Sequence, residues 1–286
     1  MHVLRHAPRK GVLVKRDDLI DPYVSGNKWR KLKYVLDEAA IARKTHLVTF
    51  GGAYSNHLVA AAAACSRLGL KSTAFVRGEA VENEMLMLCR LYGMQLIFVS
   101  RKAYLEKRAL FDQYFSADPH AFFVDEGGAG PLAVQGCAEI VEELPADICH
   151  LFCAAGTGTT AAGLLTGILR AGLKTKLHVV PVLRGRDFIA DEIFRYTGNN
   201  DQLVMHPGYH FGGYARTTPA LIAFMKSFVA EEGMLIDPVY TAKLFFAMDD
   251  LLETGYFGPG DKIAAVHTGV LLGILGMKAQ FGPAVF

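Results

Sequence analysis

The stretch Asp147-Ile148-Cys149-His150-Leu151-Phe152-Cys153-Ala154-Ala155-Gly156-Thr157-Gly158-Thr159-Thr160-Ala161 decides the fold. An apolar run of strand length, 147–153, feeds a Gly/Thr loop and then a helical pattern, so the segment reads as one βα junction of a buried sheet. The same unit recurs in both directions. Upstream, residues 46–50 predict a strand, followed by Gly51-Gly52 and an Ala-rich helix over about 55–68. A strand at 72–76, a helix over 82–91, a strand at 95–99 and a helix over 104–115 continue the alternation. Downstream, 176–182 and 262–267 predict further strands. Alternation of this kind implies an α/β architecture, with parallel sheets covered by helices on both faces. The Gly-rich stretch 125–131 is the expected crossing between domains.

Composition narrows the function classes. Of 286 residues, 51% are hydrophobic, enough for one large or two modest domains. A net charge of +2 without any Lys/Arg block argues against nucleic acid or an anionic membrane as partner. Residues 1–6 lack the apolar run of a secretory signal, and the richest apolar run, 58–64, stops at Ser66 and Arg67, short of a transmembrane helix. Cys65, Cys89, Cys137, Cys149 and Cys153 lie in apolar runs and read as reduced core residues. A soluble, cytoplasmic protein is expected.

Lys28 stands out. In Ser25-Gly26-Asn27-Lys28-Trp29-Arg30-Lys31-Leu32-Lys33-Tyr34-Val35-Leu36, the positions Leu32, Val35, Leu36, Ala39 and Ala40 keep helical spacing. Lys28 precedes Leu32 by four, which puts it on the inward stripe, whereas Arg30 and Lys33 are expected to face solvent. Burial lowers a lysine's pKa and frees the neutral amine as a nucleophile. The main use of such an amine is a Schiff base with a substrate carbonyl or with pyridoxal phosphate (PLP). Snorkelling from the first turn to solvent is the ordinary alternative, and this segment alone favours it.

The loop Gly156-Thr157-Gly158-Thr159-Thr160 joins a strand to a helix, where glycines allow a sharp turn and helix amides favour an anion such as phosphate. With Ala161 it also fits the G-x-G-x-x-A pattern of dinucleotide folds. That pattern calls for an acidic residue after the next strand, and Val180-Pro181-Val182-Leu183-Arg184 offers none. Ser55 and Asn56 read as an N-cap and first-turn residue. Asp237-Pro238 reads as a helix start with Tyr240 on its apolar face, and Thr268 as a hydroxyl at a strand end. Metal binding is not expected: Pro207-Gly208 separates His206 from His210, and Cys149, His150 and Cys153 alternate along a strand. Lys15-Arg16-Asp17-Asp18 reads as a solvated turn.

Taken in chain order, these segments form a set. Lys15-Arg16-Asp17-Asp18-Leu19, Gly26-Asn27-Lys28 with Arg30-Lys31-Leu32, Ser55-Asn56-His57, Gly156-Thr157-Gly158-Thr159, Asp237-Pro238-Val239-Tyr240-Thr241 and His267-Thr268-Gly269 span most of the chain. The set resembles the D-cysteine desulfhydrase and 1-aminocyclopropane-1-carboxylate (ACC) deaminase family, PLP enzymes with a tryptophan-synthase-β-like fold. The resemblance implies a large PLP-binding domain from 1–30 and 131–286, an inserted small domain from 31–130, and a homodimer. It implies that Lys28 holds PLP and shuttles protons at the substrate Cα, and that Gly156 to Thr160 bind the cofactor phosphate. Asn56 would bond the phenolic oxygen of PLP, and Ser55 would meet the substrate carboxylate or leaving group. Tyr240 would lie against the cofactor ring, and Tyr214, in Phe211-Gly212-Gly213-Tyr214, would be the second active-site tyrosine.

Ring-opening members of that family resemble Tyr-Glu at 240–241 and His-Leu at 267–268, whereas desulfhydrases carry hydroxyl residues, as Thr241 and Thr268 are here. A hydroxyl beside the pyridine nitrogen makes a weaker electron sink than a carboxylate, and expelling thiolate needs no stronger one. The resemblance therefore implies α,β-elimination on a small amino acid, D-cysteine giving pyruvate, sulfide and ammonia. ACC deamination, elimination from D-serine, β-chloro-D-alanine or cysteate, and a non-catalytic PLP-binding role are the alternatives. Ser25 and Val270 depart from the family, which often has glycine at both places, and the lead into Lys15 is short.

Overall fold

The computed structural model describes residues 1–184, 186–269 and 271–281, so Val270 lies outside the described residues. β1 (His2–Val3) and β2 (Leu13–Arg16) lead into α1 (Asn27–Ile41). Then come β3 (His46–Gly52), α2 (Asn56–Arg67), β4 (Lys71–Arg77), α3 (Glu84–Leu91), β5 (Gln95–Val99), α4 (Lys107–Phe115) and β6 (Ala121–Val124). The chain continues through α5 (Pro131–Glu142), β7 (His150–Ala155), α6 (Thr159–Arg170), β8 (Lys176–Pro181), α7 (Arg186–Thr197) and β9 (Leu203–Met205). α8 (Pro219–Glu232), α9 (Thr241–Glu253) and β10 (Ile263–His267) complete the two sheets and their cover.

The α/β architecture read from the sequence is present as two sheets, ordered β1-β2-β10-β7-β8-β9 and β5-β4-β3-β6. Every pairing is parallel except β1 with β2. Strands β2 and β7 to β10 come from the two ends of the chain, and β3 to β6 from between them. Central strands are buried from end to end: Leu47 to Gly51 in β3, Leu151 to Ala155 in β7 and Ile263 to His267 in β10. This is the pattern of sheets covered on both faces. No described helix is long and apolar enough to cross a membrane. Cys65, Cys89, Cys137 and Cys153 are free and buried, while Cys149 is partly exposed.

Some boundaries differ from the sequence reading. The strand expected over 147–153 pairs only from His150 to Ala155, because Asp147 turns outward to an ion pair with Lys262. The helix expected over 104–115 divides at Glu106, whose φ of −97° and ψ of 53° separate a single 3-10 turn from α4.

Three helices stack through glycines. A Cβ on Gly136 of α5 would lie 2.0 Å from the Arg30 carbonyl oxygen of α1. A Cβ on Gly163 or Gly167 of α6 would lie 2.3 Å from Cys137 Cβ or 2.6 Å from the Ala138 carbonyl oxygen. The backbones of α1, α5 and α6 thus approach as closely as missing side chains allow.

The cations around this stack are not ordinary surface groups. Arg30, expected to face solvent, is 6% exposed. Its Nε donates to Asp17 Oδ2 at 3.0 Å and its Nη2 to Glu143 Oε2 at 2.9 Å, while Lys15 Nζ meets Asp17 at 2.6 Å and Glu143 at 2.8 Å. Arg16 forks onto Asp18 at 2.8 and 2.6 Å. Asp17 and Asp18 are buried, so Lys15-Arg16-Asp17-Asp18 is an internal clasp between β2, α1 and α5 and not a solvated turn. A carboxylate can be buried here because each is matched by a guanidinium or ammonium group. The Arg30 bonds foremost, against the cost of burial and with Lys15 assisting, pull Glu143 from 4.5 to about 2.

Two predictions follow from this packing. Gly136→Ala drives a methyl into rigid backbone and should cost about 1–3 kcal/mol of overpacking in urea denaturation. Gly208→Ala, which meets open space, should stay within about 0.5 kcal/mol of the parent. Glu143→Gln should cost about 1 kcal/mol at neutral pH, after discounting for the partial exposure of the carboxylate. A folded pKa below the unfolded one stabilises above pH 4.5, so that difference should fade as pH falls towards 2.

Candidate active site

Lys28 is the second residue of α1, and its place is fixed by the turn before it. Gly26 has φ 57° and ψ −128°, a conformation open to glycine, and a Cβ there would lie 1.9 Å from the Thr268 carbonyl oxygen. Asn27 N donates to that same oxygen at 3.2 Å. Gly269 has φ +73°, and a Cβ on it would lie 2.2 Å from Ser25 Oγ. The start of α1 therefore rests backbone-to-backbone on the end of β10. On another side, Asn27 Nδ2 donates to Thr160 Oγ1 at 3.0 Å, tying α1 to the start of α6.

Lys28 is partly exposed and lines a small cavity with Ser25 and Asn56. Burial of its amine, then the charge of Lys31, holds its pKa well below the ordinary lysine value, with weaker opposition from Cys137 and Glu126. Lys31, one helical turn on, is 3% exposed, and its Nζ reaches only the Gly127 carbonyl, at 3.4 Å. Burial lowers its pKa as well. Two amines thus sit inside the protein with no carboxylate bonded to either among the described residues.

The Gly156 loop follows β7 and opens α6. Gly158, at φ 84°, is the N-cap of α6 and no side chain caps the helix, so its first amides are left to an outside acceptor. Thr157 Oγ1 and Thr159 Oγ1 are 3.2 Å apart, and Thr159 and Thr160 are buried. Gly127 connects this loop with Lys31: a Cβ on it would lie 3.9 Å from the Thr157 methyl group, and its carbonyl faces the lysine. Tyr240 covers the loop from the opposite side, its hydroxyl 3.2 Å from where a Gly156 Cβ would be.

Strand β3 delivers Ser55 and Asn56. Ser55 is the N-cap of α2, as read from the sequence, but its hydroxyl makes no capping bond. Gly51 permits the tight strand-to-helix turn, since a Cβ there would lie 2.8 Å from Ser55 Oγ. Asn56 Oδ1 is buried without a partner, as are Asn27 Oδ1 and His57 Nδ1. Thr49 donates its hydroxyl to the Val124 carbonyl at 2.8 Å, so His57 Nε2, 2.8 Å from that hydroxyl, carries the ring proton. Burial, then the nearby Lys28 and Lys31, keeps His57 neutral.

The segment 237–243 is built differently from the expected helix start. α9 begins at Thr241, and Pro238 to Tyr240 form a turn around Asp237. The Asp237 carboxylate is fully buried and accepts the amides of Val239, Tyr240 and Thr241 at 2.8–2.9 Å, along with the Thr241 hydroxyl at 2.8 Å. That hydroxyl proton is thereby committed to Asp237. Thr268, 3% exposed, lies at the end of β10 beside the start of α1. Tyr214 and Tyr240 meet edge to face with ring centres 6.2 Å apart. Burial raises the pKa of both, that of Tyr240 strongly, so both phenols stay protonated at neutral pH.

The structure thus gathers Lys28, Asn56, the Gly156 to Thr160 loop and Tyr240 around the end of β10, with Tyr214 outermost. The sequence reading missed Lys31, Asn27 and Glu126. Lys31 was within reach of it, because a residue three after Lys28 shares its helix face. Glu126 was not: it comes from the turn after β6, and only tertiary packing brings its charge to bear on Lys28, Tyr214 and Tyr240. His206 and His210 are placed apart. His206 Nε2 bonds His178 Nδ1 at 2.8 Å and His178 Nε2 bonds His150 Nδ1 at 2.8 Å, while His210 Nδ1 accepts the Gly212 amide. Burial foremost pushes His178 down to about 3. Among the described residues no group of three or more His, Cys, Asp or Glu side chains could hold a metal ion.

Comparison with known proteins shows the family. Residues 2–269 match the family of pyridoxal-phosphate dependent enzymes. A Thermotoga maritima protein with a provisional ACC deaminase name is 32% identical over 94% of this chain and 90% of its own length. The Arabidopsis thaliana mitochondrial bifunctional D-cysteine desulfhydrase/ACC deaminase is 27% identical over 91% of this chain and 72% of its own. The crystal structure of an ACC deaminase homologue superposes with a TM-score of 0.82 at 26% identity, covering 94% of this chain and 87% of that one. With a buried amine at a strand end, an open helix start beside it and a matching family over nearly the whole chain, this protein belongs to the pyridoxal-phosphate dependent enzymes.

Proposed function

We propose that the protein carries out α,β-elimination on a small amino acid, with D-cysteine as the substrate and Lys28 as the cofactor-bearing lysine. The observation that carries the reading is the Lys28 amine, which lines a small cavity with Ser25 and Asn56, is held well below its ordinary pKa by burial, and has no carboxylate bonded to it among the described residues. PLP fits the residues around it. The uncapped start of α6 from Gly156 to Thr160, with Lys31 beside it, suits the phosphate, and the orphaned Asn56 Oδ1 marks an amide whose bonding is incomplete within the chain. Bound PLP supplies the electron sink for negative charge at the substrate Cα. The amide of Asn56 would bond the ring oxygen, and Tyr240 would lie against the ring. We place this site between the two sheets, with 31–130 as one lobe and 1–30 with 131–286 as the other, in a homodimer.

Within that site Lys28 Nζ, biased towards its neutral form by burial and by the charge of Lys31, is the base for the proton on the substrate Cα. Ser55 Oγ, unused as a cap, is available to the substrate carboxylate. The protonated phenols of Tyr214 and Tyr240 stand ready to donate to the thiolate leaving Cβ. The net reaction is D-cysteine plus water to pyruvate, hydrogen sulfide and ammonia. Thr241 and Thr268 favour this substrate over ACC, since neither position carries a carboxylate to strengthen the sink. The hydroxyl of Thr241 already serves Asp237, which leaves Thr268 as the candidate partner of the ring nitrogen. ACC is the second reading, favoured by the names of the relatives.

With PLP, the protein should show visible absorbance that Lys28→Ala abolishes along with at least about a hundredfold of turnover. Unchanged absorbance in that variant would reject the lysine assignment. D-cysteine should yield stoichiometric pyruvate and sulfide, faster than L-cysteine does. Release of 2-oxobutanoate from ACC with no sulfide from D-cysteine would transfer the assignment to the deaminase. Bound PLP with no product from any of the three would leave the protein a non-catalytic binder.

A further inference from the structure

Another buried lysine, besides Lys28 and Lys31, is not used by the chemistry above. Lys243, on the first turn of α9 three residues after Tyr240, is 0% exposed. Its ammonium bonds no carboxylate among the described residues. It donates instead to two main-chain oxygens of a single loop, His210 O at 2.9 Å and Gly213 O at 2.8 Å. Gly213 is the residue before Tyr214.

That loop would not hold this shape unaided. Between 211 and 215 four residues have positive φ: Phe211 at 50°, Gly212 at 95°, Gly213 at 119° and Ala215 at 54°. Phe211 and Ala215 adopt the left-handed region without being glycine, a strained arrangement that surrounding contacts must impose. The loop's own bonds are few: Gly212 N to His210 Nδ1, Gly213 N to His210 O and Arg216 N to Gly213 O. Further support comes from α9. Phe246 packs edge to face on Phe211 with centres 5.0 Å apart, and Lys243 gathers the two carbonyls.

Filling that space alone would call for leucine or methionine, because a buried ammonium carries a desolvation cost. A lysine adds two donors aimed at inward-facing carbonyls, with charge assistance. We propose that Lys243 is a positioning residue, which folds the 210–214 loop around its ammonium and so sets Tyr214 against Tyr240. The geometry makes the segment 237–243 a single jig, in which one helix start places Tyr240 directly and Tyr214 through Lys243. The kinetic consequence rests on the elimination reading, in which Tyr214 meets the substrate; the structural consequence does not.

The test compares holoenzyme with Lys243→Met and Lys243→Gln. Lys243→Met keeps the stem without the donors, and Lys243→Gln keeps two N–H donors without the charge. Amide hydrogen exchange across 211–216 should quicken at least about tenfold in Lys243→Met and less in Lys243→Gln, with β7 and β8 unchanged. With D-cysteine, Lys243→Met should lose about tenfold to a hundredfold in kcat with little change in KM. Added to Tyr214→Phe, it should cost almost nothing more. Unchanged loop exchange in both variants would overturn the proposal, as would an equal kcat loss in the presence and absence of the Tyr214 hydroxyl. If Lys243→Met does not fold, Lys243→Gln answers the exchange question alone. Wild-type holoenzyme that turns over neither D-cysteine nor ACC would sink the elimination reading while leaving the exchange comparison to decide the role of Lys243.

Discussion

The contact on which the site depends is between two stretches of bare backbone. Gly26 and Thr268-Gly269 approach so closely that a single methyl group on either glycine would separate them. The direction of α1 is set by this contact, and Lys28 is the second residue of that helix. Behind the helix, the Asp17–Arg30–Glu143 clasp and the Gly136 contact fix its far side. Lys28 is thus placed by rigid neighbours on both sides, which is what the proposed cofactor-bearing role would need.

The interior around Lys28 is electrically one-sided. Two amines, a helix start without a cap and several amide dipoles face a region where no carboxylate is bonded to either lysine. A chain left with that arrangement raises its own energy, since buried ammonium groups lose hydration and repel each other. The depressed pKa values of Lys28 and Lys31 are the measure of that imbalance. In the proposed reading a phosphate would relieve that imbalance by its charge and an aldehyde by bonding the Lys28 amine. The same logic separates this cluster from the histidine chain of His150, His178 and His206, which bond one another in series and end on the Asp261 carboxylate through His150 Nε2 at 3.1 Å.

α9 shows how one element serves several ends. Its start is shaped by Asp237, which takes three amides and a hydroxyl; Tyr240 stands at its N-cap, and Thr241 and Lys243 lie on its first turn. The hydroxyl of Thr241 looks chemical in the sequence and is architectural in the fold. Lys243, which local spacing does not single out, is wholly interior.

The sequence by itself determined the α/β alternation, because apolar runs of strand length and helical stripes are local patterns. It also placed the Gly/Thr loop at a strand end and put Lys28 on the inward stripe of its helix, although that stripe alone read as a snorkelling lysine and only the family resemblance made Lys28 a candidate. The order of strands in each sheet, the burial of Arg30, Asp17 and Lys243, and the approach of Glu126 to the tyrosines were decided only by tertiary structure. Each of those depends on groups far apart in the chain, such as Arg30 with Glu143 or Lys243 with His210. A charged side chain reads as exposed until its distant partner is known. Local spacing can reveal which face of a helix is buried, but not what waits there to neutralise or bond a charge.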